Sequence, residues 1–287
     1  MKRIFLFFFV VFMAFPALAS YKRLKIVTTY PPIQSLVWGV TEGVNPVNLM
    51  FSRPLSEHHN IQLKPSHMKV LQGADVVFYA SDELETFMED AVKAVAPNAK
   101  VYSLQKETPD LLLLPTASDP DKKDMHYWMD YRNALLMVDK IAEIMIELDP
   151  ANKNKYLENT EKSKKYINQL KLVGQIDKEK KFLALHDGFN YMADSFGLDI
   201  KTLKIDMENI DTPKLFNDVK KEIQKESADC YLVEPQTDAR LLKSLDLRGK
   251  DVLKIDAFGW NLSSGDGQYY RMMGWNLERM AKCKKKR

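Results

Sequence analysis

The feature that most constrains this chain is an alternation of two kinds of segment. Short apolar runs of strand character are separated by stretches whose apolar residues recur at helical spacing. In the first half, residues 24–29 read as a strand, 33–40 as a helix opened by Pro31 and Pro32, and 47–51 as a second strand. Ser66 can cap a short helix that Gly73 ends, 76–79 is a third strand, Ser81 can cap a helix over 83–95, and 101–103 is a fourth strand. The second half repeats the pattern. Strands are expected at 182–185, 200–205, 231–233 and 252–255, and helices at 189–196, 213–226, 237–245 and 269–281. Gly197 supplies a helix stop and Thr212-Pro213 a helix start. Such alternation is satisfied by parallel strands joined through helical crossovers. The expected class is α/β, with two similar domains of mostly parallel four-stranded sheets flanked by helices.

Between the halves the rhythm changes. A polar loop through 116–125 leads to Asp130, which can cap a helix ending at Leu148. Asp149-Pro150 then restarts a helix in which Tyr156, Thr160, Ser163, Ile167 and Leu170 recur to about residue 173. A helix of about 20 residues spans about 30 Å, and this one is richly charged, so it can join two domains. The expected division is a leader at 1–19, an N-terminal domain at 20–149, a connecting helix at 150–173 and a C-terminal domain at 174–287.

The leader is read from Lys2-Arg3, the apolar run over 4–15 and Ala17-Leu18-Ala19. That is a basic start, a hydrophobic stretch and a small-residue cleavage site, the pattern of a secretory signal peptide cleaved after Ala19. A membrane span needs about 20 apolar residues, so an uncleaved anchor is the weaker reading. Export places the chain in an oxidising compartment, where Cys230 and Cys283, the two cysteines of the sequence, are expected to pair. A net charge of +3 without a basic stripe interleaved with aromatics argues against nucleic acid as a partner.

The residues able to carry chemistry are few. There are five histidines: His58, His59, His67, His126 and His186. His59 lies in the loop after the second strand, and His186 directly follows a strand, as does Asp256. Ligands of open α/β sheets bind beyond the carboxyl ends of strands, so these positions stand out. His126 lies at a loop-to-helix entry beside Trp128. His67 reads as a solvated helix residue, and His58 can point away from its neighbour. Glu57 and Asp187 are candidates to support a ligand, whereas Trp128 and Phe258 read as packing residues. There is no Gly-x-Ser-x-Gly elbow, no Gly-rich phosphate loop and no His-Glu-x-x-His pair. Glu57 and Glu234 are the carboxylates a zinc hydrolase could use as a general base, without supporting context for either.

In chain order, Ile26-Val27-Thr28-Thr29-Tyr30-Pro31-Pro32, Ser56-Glu57-His58-His59, the segment from Gly73 to Tyr79, and His126-Tyr127-Trp128-Met129-Asp130 form a recognisable series. Asp149-Pro150-Ala151-Asn152, Leu185-His186-Asp187-Gly188-Phe189, Glu234-Pro235-Gln236 and Ile255-Asp256-Ala257-Phe258-Gly259 continue it. With these residues the chain resembles the periplasmic zinc-binding solute-binding proteins of zinc and manganese ABC transporters, the ZnuA/TroA-like family. The resemblance covers nearly all of the chain after the leader. It implies one metal in the cleft between two domains, held by His59, His126, His186 and Asp256. Three imidazoles and a carboxylate suit tetrahedral Zn²⁺, and manganese-preferring relatives tend to place a carboxylate where His186 stands. It further implies a monomer that is not an enzyme, is not inserted in the membrane, and carries Zn²⁺ as cargo to a membrane permease. Manganese or iron as cargo is the alternative within the fold, and a secreted zinc hydrolase the alternative outside it. The chain departs from the zinc-type pattern in its loop over 119–124, which is short and has no histidine. It also departs at Tyr131 and Ala257, where prolines are common.

Overall fold

The computed structural model describes residues 23–54, 61–117, 119–204, 213–235, 237, 239–245, 247, 251–265 and 267–284. The first half contains strands β1 (Ile26–Thr28), β2 (Val47–Leu49), β3 (Val76–Tyr79) and β4 (Lys100–Ser103). Between and after them lie helices α1 (Pro31–Thr41), α2 (Pro65–Leu71), α3 (Met88–Val95) and α4 (Leu104–Glu107). Helices α5 (Tyr131–Leu148) and α6 (Lys153–Val173) follow. The second half holds β5 (Lys181–Ala184), α7 (Asn190–Phe196), β6 (Asp199–Thr202), α8 (Pro213–Lys225), β7 (Cys230–Val233), α9 (Ala239–Ser244), β8 (Asp251–Lys254) and α10 (Gln268–Ala281).

Each half builds a four-stranded sheet, in the orders β2-β1-β3-β4 and β6-β5-β7-β8. Every pairing is parallel. The two halves are therefore wound identically, although no repeat is visible in the sequence. Central strands carry unbroken apolar runs because helices cover both their faces. Along β5, Phe182 and Ala184 join the main apolar cluster, while Leu183 and Leu185 join a smaller one with Val219 and Ile223 on the other face. Cys230 and Leu232 of β7 divide from Tyr231 and Val233 in the same way, as the two-residue period of a strand requires.

The main cluster does not stop between the halves. It runs from Ile26 and Val27 through Trp128, Ile141 and Met145 to Phe182, Phe258 and Leu277. Helix α6 lies against α1, α5 and α10, with Tyr156, Thr160, Ile167 and Leu170 on its buried face. Asn159, also buried there, donates to the carbonyls of Val40 and Glu42 at 3.0 and 2.9 Å and so satisfies carbonyls at the C-terminal end of α1. The disulfide Cys230–Cys283 fastens the end of α10 to the second sheet.

Local expectations hold at some ends and fail at others. Asp130 caps α5, its carboxylate accepting the Arg132 N–H at 2.7 Å. Gly197, at φ 61°, ends α7 in the left-handed conformation. The cap expected of Asp149 is not formed: its carboxylate accepts instead from Asn152 Nδ2 and Tyr156 Oη, and a 3-10 turn over Pro150–Asn152 precedes α6. Ser66 lies inside α2 rather than before it. Pro65 takes the first helical position, and His67 Nδ1 accepts the Lys64 N–H at 3.2 Å. Ser81 caps a turn, not a helix at residue 83. Its Oγ accepts the Leu84 N–H, the Glu85 carboxylate takes the Ala80 and Ser81 N–H groups, and α3 begins only at Met88.

Candidate metal centre

In a sheet wound this way, the strand order reverses between β1 and β3 and again between β5 and β7. A crevice opens at each reversal, beyond the carboxyl ends of the strands. The chain treats its two crevices differently. At the first, just past β1 and β3, the buried Glu85 fills the space. Its Oε1 accepts Thr29 Oγ1–H at 2.6 Å and Ala80 N–H at 3.0 Å, and its Oε2 accepts Ser81 N–H at 2.8 Å. At the second, His186 stands just past β5 and Glu234 just past β7, with His186 Nε2 3.8 Å from Glu234 Oε2. Leu185 fixes the start of this loop through its N–H, which donates to Leu232 O at 3.0 Å.

His126 reaches the same place from the first half of the chain. It precedes a 3-10 turn, Tyr127–Met129, whose residues are all buried. Tyr127 Oη donates to Ala80 O, and Trp128 Nε1 donates to Ala257 O at 2.8 Å, bonding the turn to both halves. The His126 and His186 rings meet edge to face with centroids 5.3 Å apart. Phe258 and Trp128 close over His126 at 5.6 and 5.5 Å, and Tyr30 packs on Phe258 at 5.2 Å. Gly188 allows the two imidazoles to meet. A Cβ there would lie 3.1 Å from His186 Cδ2 and 3.5 Å from His126 Cδ2.

His126 is 3% exposed. Its Nδ1 lies 2.8 Å from Asp124 Oδ1, while its Nε2 is buried without a hydrogen-bond partner among the described residues. Burial works against a charged imidazole here. The hydrogen bond and charge of Asp124, together with the charges of Glu234 and Asp187, outweigh it and hold the His126 pKa above its ordinary value. Burial likewise raises the Asp187 carboxyl, with the Asp124 charge adding to it. The His126 imidazole thus sits among carboxylates that favour its positive charge.

Asp256 lies at the end of β8, as expected, and is 2% exposed. Its carboxylate turns into its own loop: Oδ1 accepts the Phe258 and Gly259 N–H groups at 2.9 and 2.8 Å, and Oδ2 the Asn261 N–H at a long 3.4 Å. Burial raises its pKa against the pull of these amides. His59 lies outside the described residues, as do Glu57 and His58. Among the described residues, no three His, Cys, Asp or Glu side chains form a metal-holding group; what converges is the His126–His186 pair with Glu234 beside it. His67 is half-buried and packs edge-on against Phe51 rather than standing in solvent. Trp128 and Phe258 pack, as the sequence implies. Asp187 accepts from Ala117 N–H at 2.6 Å and Asn190 Nδ2–H at 2.5 Å, binding the polar loop to the second half. Sequence reasoning passed over Asp124 and Gly188. The one available signal was an aspartate two residues before a histidine, a spacing at which a short carboxylate reaches the backbone of its neighbour.

A two-lobed α/β chain with paired imidazoles between its lobes is the architecture of a ligand-capturing binding protein. The chain belongs to the family described as zinc-uptake complex component A, periplasmic, whose model matches residues 26–283. It is 27% identical to the manganese ABC transporter substrate-binding lipoprotein PsaA of Streptococcus pneumoniae over 92% of this chain and 89% of PsaA. It is 22% identical to the high-affinity zinc uptake system protein ZnuA of Brucella abortus, over 88% of this chain and 89% of ZnuA. In structure it is similar to the binding protein FpvC of Pseudomonas aeruginosa, with a TM-score of 0.76 at 18% identity, covering 91% of this chain and 97% of FpvC. The chain is thus a metal substrate-binding protein of the ABC-transporter type and not an enzyme. Among the described residues, no helix is long and apolar enough to cross a membrane.

Proposed function

We propose that this chain is an extracytoplasmic, high-affinity zinc-binding protein that captures Zn²⁺ and passes it to the permease of a membrane ABC transporter. The observation that carries this reading is the pairing of His126 and His186 across the two halves, with a buried His126 Nε2 that no described residue satisfies. A buried polar atom without a partner costs free energy unless a ligand meets it. Imidazole nitrogen suits Zn²⁺ better than it suits Mn²⁺. The full ligand set in this reading is His59, His126, His186 and Asp256. Asp256 supports its place by lying buried just past β8, where Oδ2 accepts the Asn261 N–H at a long 3.4 Å. The lobes are residues 20–149 and 174–287, joined by 150–173. The leader is removed after Ala19, so the intact mass of exported protein begins at Ser20.

Manganese is the second reading, favoured by the likeness to PsaA and by the carboxylate of Glu234 beside His186. Metal analysis of protein purified without chelator, followed by calorimetric competition of Zn²⁺ against Mn²⁺, separates the two. Zinc should displace manganese and bind at one ion per chain. Manganese retained against equimolar zinc would overturn the zinc assignment while leaving the family intact.

A further inference from the structure

Asp124 connects more of this site than any residue read from the sequence. Its side chain is 1% exposed. Oδ1 accepts the backbone N–H of His126 at 2.9 Å and lies 2.8 Å from His126 Nδ1. An ionised carboxylate only accepts hydrogen bonds, so the ring nitrogen facing it is the one that carries the proton. In the neutral ring the other nitrogen, Nε2, then presents its lone pair to the centre beside His186. Asp124 is itself held from the second half of the chain. Asn190 Nδ2 donates to Oδ2 at 3.3 Å, and Tyr191 Oη donates to the Asp124 carbonyl at 2.7 Å while accepting the Leu114 N–H at 3.0 Å. Asn190 and Tyr191 open α7, the helix that follows the His186 loop. One residue therefore orients the imidazole of one half while anchored on the element that carries the imidazole of the other.

We propose that Asp124 is a positioning residue for metal capture: it fixes the Nδ1–H form of His126 and sets the ring's Nε2 against His186 before any ion arrives. This inference rests on the reading of His126 as a ligand. Carboxylates that accept from the far nitrogen of a liganding imidazole commonly contribute about 10- to 100-fold to metal affinity.

The test uses the full mature chain with Asp124→Ala and Asp124→Asn, Zn²⁺ alone as probe, and thermal melts to confirm folding. Asp124→Ala should bind zinc about 10- to 100-fold more weakly than wild type. Asp124→Asn keeps a carbonyl oxygen able to accept from the ring and the backbone, and should recover most of that loss. Nitrogen-15 spectra of histidine-labelled, metal-free protein report which ring nitrogen bears the proton. At a pH where the ring is neutral, wild type and Asp124→Asn should show Nδ1–H at His126, and Asp124→Ala should lose it. Wild-type zinc affinity in Asp124→Ala, or an unchanged His126 tautomer, overturns the proposal. Equal losses in the two variants would assign the effect to buried charge and overturn it as well. Should Asp124→Ala fail to fold, the tautomer in Asp124→Asn decides: loss of Nδ1–H there is the overturning result. Wild-type protein that takes up neither zinc nor manganese would instead defeat the metal-binding reading, because the tautomer is measured without metal.

Discussion

At the scale of single residues, the histidines divide by what their rings touch. His126 and His186 face one another between the halves, whereas His67 accepts a backbone N–H and packs on Phe51. Replacement of His126 or His186 by alanine should weaken zinc binding by orders of magnitude in calorimetric titration. His67→Ala should leave affinity unchanged, and wild-type affinity in His186→Ala would remove that residue from the site. Glu85 leads to a different expectation. Burial pushes its carboxyl up to about 7 from the ordinary 4.5, against the hydrogen bonds from Ser81, Thr29 and Ala80. The folded value lies above the unfolded one, so the fold favours the protonated acid. Stability from this group is fully present below about pH 4.5. It is lost as pH rises through about 7, a change on the order of 3 kcal/mol. Urea midpoints taken between about pH 5 and pH 8 should therefore fall more steeply in wild type than in Glu85→Gln. Identical slopes would mean that Glu85 stays ionised throughout. The placement of His126, His186 and Asp256, each just past a strand or at the opening of a turn, was legible in the sequence; the meeting of the His126 and His186 rings was not. Asp124 was not, because its importance comes from a bond to a neighbouring ring and from two anchors about 66 residues away, Asn190 and Tyr191.

At the scale of elements, hydrophobic period and breaker residues located every strand and nearly every helix, most ends displaced by a residue or two, though α3 starts at Met88 where residue 83 was expected. The errors share one cause. A polar side chain beside a helix start can serve the helix or another partner, and sequence does not show the partner. Asp149 serves Tyr156, and Ser81 caps a turn closed by Glu85, which takes the Ala80 and Ser81 amides, so that α3 starts later. The Cys230–Cys283 bridge was legible because two cysteines allow one pairing within a chain. It closes a separation of 53 residues, for which the chain-entropy model gives about 4 kcal/mol. The double variant Cys230→Ser, Cys283→Ser should lose about that much in denaturant titrations read from the second half of the chain. An unchanged midpoint in an oxidised sample would show that the reduced chain is already constrained.

At the scale of the whole molecule, the apolar cluster shared by both halves and the packing of α6 along α1, α5 and α10 argue against a wide hinge. Parting the halves would expose Trp128, Phe258 and Tyr269, and would break the Trp128–Ala257 and Tyr269–Trp128 hydrogen bonds at 2.8 and 2.7 Å. At roughly 25 cal/mol per Å² of apolar surface, such an opening is costly. Scattering profiles of metal-free and zinc-loaded protein should accordingly superimpose, and a marked compaction on zinc binding would contradict a fixed arrangement of the lobes. The shared core was not legible in the sequence, where the charged α6 reads as a stiff helix joining two domains.

The identical winding of the two sheets bears on where a ligand can enter. Two copies of one topology offer two equivalent crevices, yet Glu85 and its internal donors occupy the first. The second keeps an imidazole and a carboxylate at its strand ends. The same winding thus ends in two different interiors: a carboxylate bonded within its own half at one crevice, and an imidazole beside a carboxylate at the other.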